Sequence, residues 1–278
     1  MPDGTSIWCE AVGQGPPLVL CNGYVCTTQY WPLFADHFAR DRTIVRWDYR
    51  SHGRSGVPED RRTQTIPQYA RDLALVMDHL GVEDAVLVGH SMGVQVVLEF
   101  AFRFPQRTRG LIALCGTHKS PFAALSDARA LHRAIDAVAV GARTIEPVFW
   151  PLMKRLLRTE LAISVSYKMG ANPDLCPRHY LETLYEHVTS MDGEAAIEAF
   201  RGMTSYDATE RLGSIRCPAL IIAGGIDTAA TPELSRQMGQ RIAGAELEIY
   251  PDCSHLAMIE RADAVHRSVE RFLAEHQL

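Results

Sequence analysis

The sequence lacks the spacings that typify metal sites and nucleotide-binding loops. Its seven cysteines form no C-x-x-C pair, no H-E-x-x-H motif occurs, and neither a P-loop nor a Rossmann glycine motif is found where a strand meets a helix. We therefore expect no cofactor and no metal. An odd number of scattered cysteines favours reduced thiols and a cytoplasmic location. The cysteines are Cys9, Cys21, Cys26, Cys115, Cys176, Cys217 and Cys253.

Basic charge and long apolar runs are also scarce. The chain has 28 lysine and arginine residues against 33 aspartate and glutamate residues, so no cationic excess is available to neutralise nucleic-acid phosphates. The apolar stretch 85–102 is interrupted by glycine, histidine, serine, glutamine and glutamate, which argues against a membrane span. The N-terminus has no basic segment followed by an apolar one, so we expect no secretory signal.

Six short aliphatic runs end abruptly in glycine, asparagine, aspartate or serine, a pattern typical of buried parallel strands. Between them lie segments of helical period, such as residues 69–80. Alternating strands and helices predict an α/β fold, a mainly parallel sheet with helices on both faces. The predicted strands are Leu18–Cys21, Thr43–Trp47, Ala85–Val88, Gly110–Leu114, Ala219–Ala223 and Glu246–Tyr250.

One long stretch breaks this alternation. Residues 118–214 show helical patterns and no convincing strand, which predicts a helical cap inserted between core segments 1–117 and 215–278. Ligands of an open parallel sheet bind beyond the carboxyl ends of its strands, where such an insertion can roof the pocket. Within its apolar segment 145–157 we predict Phe149, Trp150 and Met153 as substrate-binding residues.

The segment Gly89-His90-Ser91-Met92-Gly93 is a G-x-S-x-G motif between an apolar strand and an apolar helix. A serine on such a tight turn projects its hydroxyl above the sheet, and the glycines remove side chains that would collide. Unsatisfied N–H groups at the helix N-terminus favour negative charge there. The motif therefore predicts Ser91 as a nucleophile.

A serine nucleophile needs a base to accept its proton and a third group to orient that base. His255 follows the last predicted strand and Asp227 follows the strand before it, which gives the chain order Ser, Asp, His. Asp252 and Asp207 are rival candidates for the acid. Two further histidines are less favoured as bases: His90 precedes the nucleophile and is expected to support the turn, and His52 lies on another strand-end loop.

The negative oxygen of a tetrahedral intermediate requires backbone donors that are already in place. The N–H of Met92, directly after the nucleophile, is one expected donor. The loop Cys21-Asn22-Gly23-Tyr24 follows the first predicted strand, and we assign the second donor to the N–H of Tyr24.

With these residues placed, the sequence resembles the α/β-hydrolase superfamily along nearly its whole length outside the insertion. Residues 48–56, DYRSHGRSG, are similar to that family's D-x-R-x-x-G-x-S loop. The resemblance implies an eight-stranded core, a cap after the sixth strand and the triad Ser91, Asp227 and His255. Many relatives have His-Gly where this chain has Asn22-Gly23, a departure that affects the polar network behind the loop. A serine nucleophile also disfavours the dehalogenase and epoxide hydrolase branches.

These observations predict a serine hydrolase, carboxylesterase- or lactonase-like, that cleaves a carboxylic ester, lactone or thioester through an acyl-enzyme on Ser91. The expected partners are a small hydrophobic acyl-containing substrate and water, with no nucleic acid, and the protein is expected to be a monomer or homodimer. Two alternatives stay open. One is a perhydrolase, carbon–carbon hydrolase or lyase on the same scaffold, and the other is a non-catalytic ligand receptor with the same fold.

Overall fold

In the computed structural model of the protein, the described residues are 1–122, 148 and 150–278, without the side chains of residues 168 and 169. Among these residues one sheet has seven strands in the order β1-β3-β2-β4-β5-β6-β7. β1 runs antiparallel to β3, and every other neighbouring pair is parallel. The strands are β1 Cys9–Val12, β2 Pro17–Cys21, β3 Thr43–Trp47, β4 Ala85–His90, β5 Thr108–Leu114, β6 Ala219–Gly224 and β7 Glu246–Tyr250.

The helices follow the predicted alternation, and the α/β fold is confirmed. They are α1 Pro32–Phe38, α2 Ile66–His79, α3 Met92–Arg103, α4 (residues 150–157), α5 Glu160–Met169, α6 Arg178–Ser190, α7 Gly193–Ser205, α8 Pro232–Arg241, α9 Ala257–Glu260 and α10 Ala262–Glu275. Thr65 caps α2 by accepting the N–H of Gln68, as its position before a helical pattern leads one to expect.

The expected eighth strand is absent from the described residues. The segment before β1 is bound to the loop after β3 instead: the Trp8 carbonyl accepts the N–H of Asp48, and the Ser6 carbonyl accepts that of Gly56. The Trp8 N–H donates to the Ser55 hydroxyl. Because these groups are occupied, the segment adds no strand, and the helices α4 to α7 follow the fifth strand rather than the sixth.

The two faces of the sheet are covered by different helices. Neighbouring strand residues point to opposite faces, so Val19 packs in one core with α2 and α3, and Leu18 packs in the other with α1 and α10. The largest fully buried side chains include Tyr69 and Phe100 on the first side and Phe34 and Phe272 on the second. This packing holds the carboxyl ends of β2, β4, β5 and β6 together at one edge.

The helices α4 to α7 lie between β5 and β6 in the chain. In the part of residues 118–214 that the structure describes, the single β interaction is an isolated bridge between Lys119 and Asp207. The boundaries of the predicted cap stay a prediction. No helix in the described ranges is both long and apolar enough to cross a bilayer.

Candidate active site

Ser91 lies on a tight turn between β4 and α3. Its backbone adopts φ 55 and ψ -118, a left-handed conformation that is uncommon for a residue with a side chain, and its N–H donates to the Leu114 carbonyl. A Cβ at Gly89 would overlap the Gly93 carbonyl, and one at Gly93 would overlap that of Cys21. Both glycines of the motif are therefore required by close backbone contacts, and the turn holds the serine hydroxyl at the sheet edge.

His255 connects Ser91 to Asp227 through two hydrogen bonds. Its Nε2 lies 2.8 Å from Ser91 Oγ, and its Nδ1 donates to Asp227 Oδ2 over 2.8 Å. The other Asp227 oxygen accepts the N–H groups of Ala229 and Ala230. The Asp227 side chain is fully buried, so these bonds fix both the carboxylate and the tautomer of the imidazole.

The electrostatic surroundings of His255 favour its protonated form. Burial lowers the pKa of the imidazole, but the charge and hydrogen bond of Asp227 outweigh this effect, so the pKa of His255 is raised above its ordinary value. This histidine can accept a proton from Ser91 and hold it against the buried carboxylate. The arrangement has the geometry of a nucleophile, a base and an orienting acid.

The rival acids are occupied elsewhere. Asp252 is half exposed and forms an ion pair with Arg261, and Asp207 accepts the N–H of Thr209 at the end of the α7 connection. The residue that orients the imidazole is therefore Asp227, whose carboxylate contacts it directly.

The two other candidate bases, His90 and His52, bond to backbone carbonyls of loops. His90 donates from Nε2 to the His255 carbonyl over 3.0 Å, and burial together with the nearby His255 lowers the pKa of His90 to about 3, which keeps it neutral. His52 is buried and its Nδ1 bonds to the Arg50 carbonyl. His90 is thus bonded to the backbone of the loop that carries His255.

Met92 and Tyr24, whose N–H groups are the predicted oxyanion donors, lie directly after Ser91 and directly after Gly23 in the chain. Met92 opens α3, and Tyr24 follows β2 across a glycine. A Cβ at Gly23 would lie 3.2 Å from both Ser91 Cβ and His90 Nδ1, so this position brings the loop close to the nucleophile. Neither N–H donates to another group within the described residues. Both are available to bind a negative oxygen.

Comparison with known proteins assigns this geometry to a family. A family model described as the alpha/beta hydrolase fold matches residues 16–262. The chain belongs to the α/β-hydrolase fold family. Pimeloyl-acyl-carrier-protein methyl ester esterase of Nitrosospira multiformis is 26% identical over 269 residues, covering 96% of this chain and 98% of that protein.

Two further similarities cover nearly all of this chain. The dihydrolipoyllysine-residue acetyltransferase component of the acetoin cleaving system of Pseudomonas putida is 25% identical over 97% of this chain, which spans 66% of that protein's length. Among solved structures, the enol-lactonase from Burkholderia xenovorans LB400 is similar with a TM-score of 0.78 and 25% identity, covering 98% of this chain and 97% of that one.

Asn22, which precedes the glycine of the loop after β2, is at the centre of a buried hydrogen-bond network. Its Nδ2 donates to the Trp47 carbonyl, its Oδ1 accepts the indole N–H of Trp31, and its carbonyl accepts the Tyr49 hydroxyl, all within 2.9 Å. The asparagine therefore holds the loop before Gly23 by its own set of bonds.

The motif at residues 48–56 is held in place by buried polar contacts. Asp48 accepts the N–H groups of Thr28 and Arg54, and fully buried Arg50 forms a bidentate pair with Asp72. A Cβ at Gly53 would overlap the Asp48 carboxylate. Through the bond from the Thr28 N–H to Asp48, the motif holds the chain segment that follows Tyr24.

A mostly apolar cavity of about 470 Å³ opens at Ser91 and His255. Loops of the sheet edge and residues of α5, α6 and α7 both line it. The lining residues from the core include Cys26, Tyr30, Gln95, Thr117 and Leu256, and those from the helices and their connection include Ser166, Ala171, Leu181, Leu184 and Met203.

The predicted substrate-binding residues are not part of this wall as far as the structure describes it. The indole N–H of Trp150 donates to the Met191 carbonyl, and Met153 packs with Trp150, Met191 and Val25. Trp150 and Met153 are not among the described lining residues and pack instead against Val25 and other members of this cluster that are. Their role in substrate binding stays a prediction. Phe149 lies outside the described residues.

Sequence reasoning missed Glu260, five residues after His255. This buried carboxylate accepts the Ser254 N–H over 2.7 Å, the Ser254 hydroxyl over 2.5 Å and the Asn172 N–H over 2.7 Å. It joins the histidine loop to the connection between α5 and α6. No local pattern distinguishes it from other acidic residues near helix ends, so the sequence offered no signal for it.

No group of three or more histidine, cysteine, aspartate or glutamate side chains within the described ranges is arranged to hold a metal ion. The contacts of His255 with Ser91 and Asp227 can support nucleophilic attack by the serine hydroxyl with proton transfer to the histidine.

Proposed function

We propose that this protein is a serine hydrolase that cleaves ester-like bonds of small hydrophobic molecules. The observation that carries the proposal is the position of the His255 ring, 2.8 Å from the Ser91 hydroxyl on one side and 2.8 Å from the Asp227 carboxylate on the other. Both contacts lie at the wall of an apolar cavity.

In the proposed acylation step, Ser91 Oγ attacks the substrate carbonyl carbon while its proton passes to His255 Nε2. Asp227 stabilises the resulting imidazolium, and the N–H groups of Met92 and Tyr24 bind the negative oxygen of the tetrahedral intermediate. Collapse of the intermediate breaks the ester bond. The proton on His255 leaves with the alcohol, and the acyl group stays on Ser91.

Deacylation repeats these steps with water as the nucleophile. His255 takes a proton from water, the hydroxide attacks the acyl carbon, and the second intermediate releases the acid and restores the Ser91 hydroxyl. Removal of one oxyanion donor typically costs about 10² to 10³ in rate, so the two backbone donors carry a large share of the proposed acceleration.

The substrate class is proposed from the cavity. Apolar side chains (leucine, methionine, alanine, valine, proline, phenylalanine and cysteine) together with two tyrosines line most of its wall, which favours a hydrophobic carboxylic ester, lactone or thioester. The names of an esterase and an enol-lactonase among similar proteins support this class. We also propose that residues 118–214 form a cap, because α5, α6 and α7 supply part of the cavity wall.

The test is hydrolysis of p-nitrophenyl esters of graded chain length by the wild type and Ser91→Ala. We expect a loss of about 10⁶-fold in kcat, since removal of a triad serine has an effect of that order. Ser205→Ala is a matched control, because that exposed hydroxyl donates only to the Gly202 carbonyl of its own helix. Full activity of Ser91→Ala would overturn the proposal.

The alternative reactions on this scaffold are separated by product analysis in ¹⁸O-labelled water. Hydrolysis of an ester or of a carbon–carbon bond places one solvent oxygen in the released acid, whereas a perhydrolase or lyase does not give that product. A carbon–carbon hydrolase is recognised by its second product, which carries a new carbon–hydrogen bond instead of a hydroxyl group. A cytoplasmic location and a monomeric or homodimeric state remain predictions from the sequence.

A further inference from the structure

Gln95 is a buried polar residue in the wall of the cavity. It lies on α3 and is 1% exposed. Its Nε2 donates to the Lys119 carbonyl over 3.2 Å, whereas its Oε1 has no hydrogen-bond partner within the described residues. Because a carbonyl can only accept, this bond fixes the amide with the nitrogen toward Lys119. The acceptor oxygen is left for another donor.

The other polar side chains of the cavity wall are already engaged. The Tyr24 and Tyr30 hydroxyls donate to carbonyls of α7 and α6, and the Thr117 hydroxyl donates to Lys119. Ser166 bonds to Tyr185. His90 also has an unpartnered atom, Nδ1, but it lies directly behind Gly23, where a Cβ would be 3.2 Å away. Among the described side chains of this wall, Gln95 Oε1 is the buried oxygen acceptor that has no hydrogen-bond partner at all.

A buried acceptor without a partner is uncommon and destabilising unless a bound molecule supplies the donor. Gln95 is the fourth residue of α3, which begins directly after Ser91, and both residues line the cavity. A donor that reaches it must therefore belong to the part of the substrate close to the scissile carbonyl.

The position of His255 indicates whether this part of the substrate belongs to the acyl side or to the alcohol side of the ester. In the proposed mechanism His255 gives its proton to the leaving alcohol, so the alcohol lies beside the histidine loop. That loop is bound to the helical segment by Ser254, whose hydroxyl donates to the Gly170 carbonyl. Gln95 belongs to a different wall, formed by α3 and the segment after β5, and this assigns it to the acyl side.

We propose that Gln95 is a specificity-determining residue and that the acyl group of the substrate carries a hydroxyl or amide N–H that donates to Gln95 Oε1. The inference rests on the proposed function and deepens it, since it narrows the substrates from plain hydrophobic esters to esters of donor-bearing acids.

The test compares matched ester pairs on the purified full chain. Ethyl 3-hydroxybutyrate, each enantiomer separately, is compared with ethyl butyrate, and ethyl 3-acetamidopropanoate with ethyl hexanoate. We expect kcat/KM to be at least about tenfold higher for a donor-bearing acyl group in one of these pairs, in line with the effect of pairing a buried polar group. A third pair, 2-hydroxyethyl butyrate and ethyl butyrate, carries the donor on the alcohol side, where no such preference is expected.

Gln95→Leu keeps the size of the side chain and removes the acceptor, so it should abolish the preference within the acyl pairs. Gln95→Met serves the same purpose if the leucine variant does not fold. A wild-type ratio near one in both acyl pairs, a preference retained in the variant, or a preference on the alcohol side would each overturn the inference.

Labelling with a fluorophosphonate in parallel separates this outcome from failure of the proposed function. If the enzyme is labelled at Ser91 and hydrolyses plain esters but shows no kcat/KM preference for donor-bearing acyl groups, only the assignment of Gln95 is contradicted. Absence of both labelling and hydrolysis contradicts the serine hydrolase itself.

Discussion

The loops at the carboxyl edge of the sheet and the helices α4 to α7 differ in how tightly their residues are held. In the loops, the Asp227 side chain is fully buried with both oxygens bonded, and the glycines at the adjoining ends of β4, α3 and β6, residues 89, 93 and 224, lie too close to neighbouring backbone for any side chain. The helices expose apolar side chains instead. These are Leu152 at 65%, Leu156 at 45%, Leu161 at 62% and Val165 at 42%.

This difference suggests a division of labour. Groups that must stay within hydrogen-bond distance of each other lie on loops fixed by the sheet, and groups that need only surround an apolar substrate lie on the helices. A few polar bonds connect the two regions: Tyr24 to the Ala196 carbonyl, Tyr30 to the Tyr180 carbonyl, and Glu260 to the Asn172 N–H. Changes in the loops should therefore affect kcat, and changes in the helices should affect KM.

Asp227→Asn should have the largest effect. An asparagine has a similar shape but cannot hold the imidazole in the same tautomer, so kcat should fall about 10⁴-fold with little change in KM. Steady-state kinetics on p-nitrophenyl butyrate measures both constants. Asp252→Asn is the matched control, because this rival carboxylate pairs with Arg261 and lies close to His255 in the chain. If Asp252→Asn were the inactive variant, the acid would have been assigned to the wrong loop.

Glu260→Gln tests the connection between the two regions. An amide presents one acceptor oxygen where the carboxylate accepts three donors, so the histidine loop and the Asn172 connection should both shift. A displacement of the order of 1 Å can cost about 10²-fold, and we expect kcat to fall by roughly 10- to 100-fold. Glu270→Gln is the control, because Glu270 is exposed and pairs with His37 at the surface. For the loss of such a surface charge we expect kcat to stay within about twofold of wild type. Equal kinetics for the two variants would show that Glu260 does not position His255.

The pH dependence of kcat/KM should be set by the loop residues His255 and Asp227 and not by the helices α4 to α7. His255 must be neutral to accept the Ser91 proton, and its pKa is raised by Asp227, so kcat/KM should fall as the pH drops through a value above 6.5. The loss approaches tenfold per pH unit below that point. Asp227→Asn should move the inflection to lower pH. An inflection that stays in place in this variant would contradict the assigned pair.

Leu184→Ala, on the helical side, should have the smallest effect. Loss of apolar contact with the acyl chain should raise KM for hexanoate esters by up to about tenfold and leave kcat nearly unchanged. Leu161→Ala removes a leucine of the same size from an exposed position and serves as the control. A fall in kcat without a change in KM would break the proposed division between the regions.

The sequence was sufficient to predict strands β2 to β7 and three residues that are brought together at the edge of the sheet. Aliphatic runs mark β2 to β7 because both faces of a parallel strand are buried, and strand-end loops meet in space wherever the strands are neighbours. Ser91, Asp227 and His255 each follow such a run. β1 was not predicted, since its four residues are half exposed and lack that apolar signature.

The helical segment was much less predictable. A helical apolar face shows which residues pack but not what they pack against, and Trp150 proved to face Met191 rather than the cavity. Glu260 and Gln95 were missed because their partners are distant in sequence: Asn172 is 88 residues from Glu260, and Lys119 is 24 residues from Gln95. Such contacts depend on how the loops and helices meet, which no local spacing records.

The most direct test of the central claim is intact-mass and peptide mass spectrometry after treatment of wild type, Ser91→Ala and Ser205→Ala with a fluorophosphonate. The account predicts a single adduct on wild type and Ser205→Ala, located on Ser91, and none on Ser91→Ala. An adduct on another residue, or no adduct on wild type, would contradict the assignment of Ser91 as the activated nucleophile.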